Sequence, residues 1–265
     1  MKKKMLFRKL IHPPIMNSSG ISTGISPHQA AIVSKTCTWE PRTHIYPPTI
    51  LQKNNSFNCV GLNNQGFVFY ANQTYSKPYI VSVWGFDDHI QDMVKMLLTK
   101  PNVDAIEVNL SCPNMNNDLS RFETVLKKIF SSLEKPLGKP IGVKLGYFSD
   151  ISRLEDVIRI CVSYPIEFFV SINTLPVIHH LQNYGLGGIS LKFISLSQIA
   201  RLSHILHSLS RHDIVIIGVG GCFTGQDVHD FLKVGADAVQ IGTCLLSEGI
   251  QCFERIAYEF FHAAL

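Results

Sequence analysis

The sequence predicts a closed (β/α)8 TIM barrel, and three observations lead to this prediction. Short runs rich in β-branched and other apolar residues alternate with amphipathic segments along the chain. Most of these runs are apolar at nearly every position, which is typical of parallel strands that are covered by helices. The chain also has 265 residues, close to the length of about 250 residues that is usual for this fold.

The apolar runs give eight predicted strands. Eight strands with crossover helices indicate a closed barrel, whereas fewer strands would indicate an open, doubly wound sheet. The predicted strands are Pro14–Asn17, Ala31–Thr36, Tyr79–Trp84, Ala105–Leu110, Ile141–Leu145, Phe168–Asn173, Ile214–Gly218 and Ala238–Gly242.

Amphipathic spacing predicts six helices between and after these strands. In one segment Phe122, Val125, Ile129 and other apolar residues recur at helical spacing, and Asp150 is a suitable N-cap for the segment that follows it. The predicted helices are Phe86–Lys100, Leu119–Leu133, Ile151–Val162, Ser195–Leu209, Thr224–Val234 and Leu245–Ala264.

Two stretches interrupt this alternation, and we expect both to be irregular. One is the long connection 37–77, and the other runs from 176 to 192. Connections of such length in a compact domain are usually functional or disordered. We find no internal repeat and no domain boundary, so we predict one domain over residues 1–265 with a basic N-terminal arm over residues 1–12.

Composition and charge exclude several classes of protein. Hydrophobic residues make up 46% of the chain and charged residues 17%, so a large core is expected and disorder is not. The formal charge of +4 is too small and scattered to indicate nucleic-acid binding, but it suits an anionic small molecule. The longest apolar run, 214–223, is too short to span a bilayer, and the basic N-terminus lacks the apolar segment of a signal peptide.

The cysteines and histidines do not form a recognisable metal or disulfide pattern. Seven cysteines are present and no two form a C-x-x-C pair, which favours a reducing compartment and a cytoplasmic location. His204 and His207 are spaced i, i+3, but no third ligand is suitably placed, so a solvated helix face is the better interpretation. We therefore predict no metal site.

Polar residues and glycines gather at the carboxyl ends of the predicted strands, where the chemistry of this fold takes place. Gly220-Gly221 and Gly242-Thr243 end the seventh and eighth strands. Glycines at these two ends allow backbone N–H groups to approach a phosphate. For either motif alone, an ordinary tight turn between strand and helix remains the alternative.

Three further strand ends carry reactive or charged side chains. Lys35 and Lys144 each end an apolar strand, where burying an unpaired ammonium would be costly and a bound anion or electron-rich ring would offset that cost. The alternative is a lysine that extends to solvent. Cys112 follows another strand and lies among Asn109, Ser111 and Asn114. A thiol placed there can act as a general base.

The strand-end motifs occur together in a pattern that resembles class 1 dihydroorotate dehydrogenase. The resemblance covers about residues 13–260. The segments that carry it are Met16-Asn17-Ser18-Ser19-Gly20, Ser34-Lys35-Thr36-Cys37-Thr38, Asn58-Cys59-Val60-Gly61-Leu62-Asn63-Asn64, Asn109-Leu110-Ser111-Cys112-Pro113-Asn114, Gly142-Val143-Lys144-Leu145, Ile172-Asn173-Thr174, Gly218-Val219-Gly220-Gly221 and Gln240-Ile241-Gly242-Thr243.

This resemblance implies an FMN-containing barrel that oxidises dihydroorotate to orotate in pyrimidine biosynthesis. Cys112 would be the catalytic base that takes the C5 proton, while hydride from C6 would pass to N5 of FMN. Lys144 would place positive charge near the flavin N1 and the C2 carbonyl. The implied substrate-binding residues are Lys35, Asn58, Val60, Gly61, Leu62, Asn109, Asn114, Asn173 and Thr174. The implied cofactor-binding residues are Ser18, Ser19, Gly20, Lys35, Thr36, Asn109, Lys144, Ile172, Gly220, Gly221, Gly242 and Thr243.

The resemblance also bears on partners and on the electron acceptor. Cysteine at position 112 resembles the soluble class 1 branch, whose members are usually homodimers, and no membrane partner is expected. The segments 36–42 and 172–175 resemble the NAD-linked branch, which adds an electron-transfer subunit. Residues 66–70 instead resemble the fumarate-reducing branch, so the acceptor stays open at this point.

Two connections near the predicted site are shorter than is usual in this family: 115–118 and 176–187. They keep two alternatives open. One is a related FMN oxidoreductase that acts on another pyrimidine or cyclic amide, for which the same asparagines would serve. The other is a catalytically impaired barrel that binds flavin or a pyrimidine.

Overall fold

The chain forms a nearly closed barrel of parallel strands surrounded by helices. The structure, a computed structural model, describes residues 13–21, 24–44, 48–59, 61–111, 119–131, 133, 138–179 and 181–262. Within these residues the strands are β1 Ile15–Asn17, β2 Ile32–Val33, β3 Ile50–Gln52, β4 Asn55–Asn58, β5 Tyr79–Val83, β6 Ala105–Asn109, β7 Ile141–Leu145, β8 Phe168–Ser171, β9 Leu175–His179, β10 Gln182–Gly188, β11 Val215–Val219 and β12 Ala238–Ile241. The predicted basic arm over residues 1–12 lies outside the described residues.

Eight of these strands form the barrel in the order β1-β12-β11-β8-β7-β6-β5-β2, and each described neighbour pair is parallel. This confirms the predicted fold class. The two end strands meet through a side chain, because Asn17 accepts from the main-chain N–H of Val33 at 2.9 Å and donates to its carbonyl at 2.7 Å. A buried asparagine thus supplies the hydrogen bonds that a longer β1–β2 ladder would provide.

The helices of the described residues follow the barrel strands, with two small helices besides. They are α1 Phe67–Ala71, α2 His89–Thr99, α3 Leu119–Phe130, α4 Ile151–Val162, α5 Lys192–Ser208, α6 Gly225–Lys233, α7 Thr243–Glu248 and α8 Cys252–His262. The prediction of one helix over Leu245–Ala264 was wrong. Gly249 has φ +76° and ends α7, and α8 begins three residues later. A glycine in this left-handed conformation is a common way to end a helix.

The two stretches that we expected to be irregular contain a second sheet. Strands β3, β4, β10 and β9 pair antiparallel in that order, with residues 55–58 against 185–188. The sequence gives little sign of these strands because three of them have five residues or fewer, and the longest, β10, is polar and contains three glycines. This sheet brings Asn58 and Thr174 to the carboxyl end of the barrel.

Inside the barrel, an apolar layer lies beneath a polar one. The inward-facing residues nearer the strand starts include Ile80, Ala105 and Ala238. Two residues further along these strands, Ser82, Glu107 and Gln240 occupy the next inward positions. Lys144 occupies the corresponding position on β7, and all four are buried. Because side chains alternate along a strand, these polar groups point toward the same end of the barrel as the predicted site.

No helix in the described parts of the chain has both the length and the apolar character that a bilayer crossing requires.

Candidate active site

Lys144 is the most deeply buried amine of the predicted site. It lies on β7, its residue is 3% exposed, and its Nζ donates to the hydroxyl of Ser19 at 2.8 Å. Burial lowers the pKa of Lys144, and the nearby carboxylate of Glu107 partly opposes that shift by raising it. The site therefore holds an amine with one neutral hydrogen-bond partner and a more distant counter-charge.

Lys35 approaches the same loop from the opposite part of the barrel mouth. A Cβ atom built on Gly20 would lie 4.0 Å from Nζ of Lys35, so this amine reaches the residue next to Ser19. Burial lowers the pKa of Lys35. Among the described residues its ammonium has no hydrogen-bond partner, which is costly for a buried charge. The loop 18–20 is thus flanked by two amines from separate strands.

A chain of side-chain hydrogen bonds joins the predicted asparagines to the barrel interior. Asn173 Nδ2 donates to Ser111 Oγ at 2.7 Å, and Ser111 Oγ donates to Asn109 Oδ1 at 2.5 Å. Asn109 Nδ2 in turn donates to Thr36 Oγ1 at 3.1 Å. The structure therefore brings together Asn109, Asn173 and Thr36, which the sequence placed on three different strand ends.

The second sheet adds Asn58 and Thr174 to this end of the barrel. Asn58 Nδ2 donates to the carbonyl of Gly185 at 3.0 Å. A Cβ atom at Gly185 would lie 2.4 Å from Thr174 Oγ1, so only glycine permits β10 to pass so close to Thr174. Thr174 directly follows Asn173, and its N–H donates to Asn173 Oδ1 at 2.9 Å. The second sheet thus adds the amide of Asn58 to those of Asn109 and Asn173, and these three side chains form a row of amides.

Neither glycine loop has room for a side chain, because one packs against backbone and the other against a side-chain hydroxyl. Gly221 has φ +82°, and a Cβ there would lie 2.7 Å from the backbone nitrogen of Lys192. A Cβ at Gly242 would lie 2.8 Å from Ser18 Oγ. Thr243 differs from the prediction in one respect, because its hydroxyl already pairs with that of Ser56 at 2.8 Å.

Lys192 fixes the helices beside the loop that contains Gly221. Its Nζ lies 2.5 Å from a carboxylate oxygen of Asp227 and 2.7 Å from one of Asp230. Asp227 also completes the capping box of α6 with Thr224. The ion pair therefore joins the start of α5 to the start of α6 immediately behind Gly221.

The long loop borders a cavity at the barrel mouth. The cavity has a volume of about 410 Å³, and its lining includes Lys35, Arg42, His44, Asn64 and Tyr70. Arg42 also lies over the ring of Trp84, 5.7 Å from its centroid. The cationic side chains of Lys35 and Arg42 in this lining suit an anionic ligand.

Several predicted residues are not described, and some described ones contribute less directly. Cys112, Asn114 and Val60 lie outside the described residues. Gly61 and Leu62 have φ values of +50° and +69° and form a turn, but no described contact joins them to the asparagines. Ile172 contributes its backbone N–H to the carbonyl of Val219 at 3.1 Å.

The sequence reasoning missed Glu107, Ser82 and Gln240. Glu107 interrupts the apolar run Ala105–Leu110, and a carboxylate inside a predicted barrel strand is a signal of a buried polar group with a partner. Ser82 and Gln240 carry no comparable signal, because neutral residues are common in strands.

Comparison with known proteins agrees with this geometry. The family model described as dihydroorotate dehydrogenase matches residues 6–263. This chain belongs to the dihydroorotate dehydrogenase family. The family consists of FMN-dependent oxidoreductases, and membership supports oxidation of dihydroorotate as the reaction.

Relatives within the family are similar over most of their length. A Streptococcus pyogenes protein whose name assigns it to dihydroorotate dehydrogenase A (fumarate) is 32% identical over 253 residues, which cover 87% of this chain and 80% of the relative. A Streptococcus agalactiae protein with the same name is 30% identical over 279 residues, covering 92% and 87%. The crystal structure of ligand-free DHODH from Eimeria tenella has a TM-score of 0.77 at 17% identity and covers 98% of this chain and 88% of its own. That structure supports the fold.

The residues present fit the flavin that this family uses. The ammonium of Lys35, which has no hydrogen-bond partner in the described part of the chain, and the buried amine of Lys144 lie beside the loop 18–20. There both amines could donate hydrogen bonds to an electron-rich ring system. Gly220 and Gly221, both with positive φ, form a turn at the end of β11 of the kind whose backbone N–H groups can bind a phosphate. FMN contains both such a ring system and a phosphate.

Proposed function

We propose that this protein oxidises dihydroorotate to orotate, with Cys112 as the base that removes the C5 proton. When bound, FMN supplies the hydride acceptor. The substrate loses a proton from C5 and a hydride from C6, so that a C5–C6 double bond forms and the atoms and electrons balance. Lys144, Ser19, Gly20 and the glycine loops would hold FMN.

The row of amides is the observation that carries this proposal. Asn109 and Asn173 each donate one N–H of their amide to a described hydroxyl, which leaves the second N–H of each group to donate to a carbonyl oxygen. A dihydropyrimidine ring presents carbonyl oxygens of this kind. Lys35, which borders the cationic cavity, supplies positive charge for the carboxylate that distinguishes orotate from uracil.

Three thiols of the described residues, those of Cys37, Cys161 and Cys222, are poor alternatives to Cys112. Cys37 is fully buried, and burial raises its pKa to about 12. Burial also raises the pKa of Cys161 and Cys222. A catalytic base must contact its substrate and must ionise near neutral pH. These buried thiols meet neither requirement.

Anaerobic stopped-flow absorbance of the flavin tests the proposal directly. Dihydroorotate should bleach the flavin of the parent protein, and Cys112→Ser should slow this bleaching at least a hundredfold near neutral pH while retaining FMN. Cys59→Ser, which removes a half-buried thiol directly after β4, is the matched control and should bleach at the parent rate. Equal rates for parent and Cys112→Ser would exclude Cys112 as the base.

The same preparation separates the alternative functions. If uracil or thymine perturbs the flavin spectrum and orotate does not, the substrate is another pyrimidine. If the protein binds orotate and is never reduced by dihydroorotate, it is a binding protein. Because the relatives are named for fumarate, we propose fumarate as the acceptor, and it should reoxidise the reduced flavin without an added subunit. We also propose a homodimer, which light scattering would test.

A further inference from the structure

Glu107 is a fully buried carboxylate that the proposed chemistry does not use. It lies in the middle of β6, faces the barrel interior, and is 0% exposed. Its Oε1 accepts from Ser82 Oγ at 2.7 Å, and its Oε2 accepts from Gln240 Nε2 at 3.3 Å. A buried carboxylate is expensive, and a single hydrogen bond to each oxygen offsets only part of that cost.

The charge of Glu107 determines the direction of the hydrogen bonds above it. An ionised carboxylate only accepts, so Ser82 must donate its one hydroxyl proton to Glu107. The oxygen of Ser82 is 2.9 Å from Thr36 Oγ1, and Thr36 must therefore be the donor of that pair. Since its proton is committed, Thr36 can only accept from Asn109.

The same direction continues to the predicted substrate amides. With its Nδ2 on Thr36, Asn109 turns Oδ1 toward Ser111 and accepts from both the N–H and the hydroxyl of that residue. Ser111 Oγ then accepts from Asn173 Nδ2. One chain of donors therefore runs from Asn173 to the buried carboxylate without a reversal.

We propose that Glu107 is a positioning residue that fixes which face of the Asn109 and Asn173 amides the substrate meets. This inference rests on the proposed function for the identity of the ligand, but the orientation of the amides follows from the hydrogen bonds alone. With the carboxylate in place, the two amides present N–H donors, rather than carbonyl acceptors, to a ligand with ring carbonyl groups. Ser82 and Thr36 transmit this preference over the two layers between Glu107 and the site.

Two substitutions remove the preference in different ways. Glu107→Gln has nearly the same shape, but its amide can donate to Ser82, so the chain of hydroxyls is no longer held in one direction. Ser82→Ala keeps the carboxylate and its effect on Lys144, but it breaks the connection to Thr36. Agreement between the two variants therefore identifies the hydrogen-bond chain rather than the charge on Lys144 as the cause.

Side-chain amide exchange, measured by NMR on asparagine-labelled holoprotein, tests the orientation itself. The Asn109 amide should exchange at least tenfold faster in Glu107→Gln and in Ser82→Ala than in the parent. Asn17 is the internal reference, because its buried amide bonds to Val33 and Ile21 outside the chain of hydroxyls. Its exchange should stay unchanged, and faster exchange of both amides would show general loosening and overturn the proposal.

Orotate titration of the same samples supplies the functional readout. Each variant should retain FMN and bind orotate about tenfold more weakly, the equivalent of losing roughly one hydrogen bond. Ser26→Ala removes an equally buried serine hydroxyl that accepts from His28 N–H, and it should bind orotate like the parent. Parent-like exchange and parent-like affinity in both variants would overturn the inference. If the Asn109 amide of the parent exchanges slowly but the parent does not bind orotate, only the proposed function is contradicted.

Discussion

The ammonium of Lys144 donates a 2.8 Å hydrogen bond to the hydroxyl of Ser19 across the barrel mouth. Ser19 lies just after β1, whereas Lys144 lies on β7, so the bond joins parts of the chain that are far apart in sequence. A neutral hydroxyl offsets little of the cost of burying an ammonium. The remaining positive charge would favour an electron-rich ring at this position, as the proposed flavin site requires.

Substitution of Lys144 should therefore affect the flavin more than the fold. Lys144→Gln keeps the polar chain but removes the charge that favours the reduced flavin anion. We expect weaker FMN retention, a more negative midpoint potential and at least tenfold slower flavin reduction by dihydroorotate. Spectroelectrochemistry measures the potential. Lys127→Gln, on the exposed face of α3, makes the same charge change far from the site and should leave the potential unaltered.

The pH dependence of stability should reveal the buried amine of Lys35. Burial lowers the pKa of Lys35 below its usual 10.5, so the unfolded chain binds more protons than the folded chain between the folded pKa and 10.5. Stability of the apoprotein therefore rises as pH increases toward 10.5, and the penalty is fully present below the folded pKa. Lys35→Met should reduce this slope, which urea unfolding at pH 7.5 and 9.5 would measure. An unchanged slope would mean that the amine is solvated.

Removing Lys192 from its ion pair with Asp227 should cost much more stability than breaking a surface pair. The side chain of Asp227 is only 7% exposed, and Lys192→Met would leave its carboxylate buried without a counter-charge. We expect a loss of about 3–5 kcal/mol, the usual effect of removing one partner of a buried pair. Arg159→Met breaks the exposed pair with Glu155, whose side chains are 54% and 40% exposed. That loss should stay below about 1 kcal/mol. Equal losses in denaturant unfolding would show that Asp227 is reached by water.

The sequence predicts the barrel well because each of its strands carries its own signal. The run Ile141–Leu145 is apolar apart from Lys144 and is found with the predicted bounds. Lys144 was also predicted as a site residue from its position near the strand end, and its amine is buried beside Ser19. The strand β2 was predicted over six residues and has two, because Asn17 replaces part of the ladder with side-chain hydrogen bonds.

The second sheet and the buried network escaped prediction for a different physical reason. Strand β10 is polar and contains three glycines, so its place depends on pairing with β4, 127 residues away at Asn58 and Gly185. The role of Glu107 likewise depends on Ser82 and Gln240, which are distant in the chain. Local pattern does not encode which distant strand supplies a partner.

Gly185 is the position where the second sheet meets the site most closely. A Cβ there would lie 2.4 Å from Thr174 Oγ1 and 3.3 Å from Asn58 Nδ2. Gly185→Ala should therefore push both side chains away from the row of amides. We expect at least tenfold weaker orotate binding with FMN retained, and a loss of about 1–3 kcal/mol in stability from overpacking.

A second glycine separates this steric effect from the loss of a glycine as such. Gly138 precedes β7 at the opposite end of the barrel, and a Cβ there meets nothing within 4 Å. Its φ of +73° means that Gly138→Ala should cost about 1–2 kcal/mol in backbone strain. Because that strain is remote from Asn58, orotate should bind as in the parent. Equal orotate affinity in both alanine variants would contradict this prediction. It would show that β10 moves to make room for the added Cβ, while Thr174 keeps its position in the site.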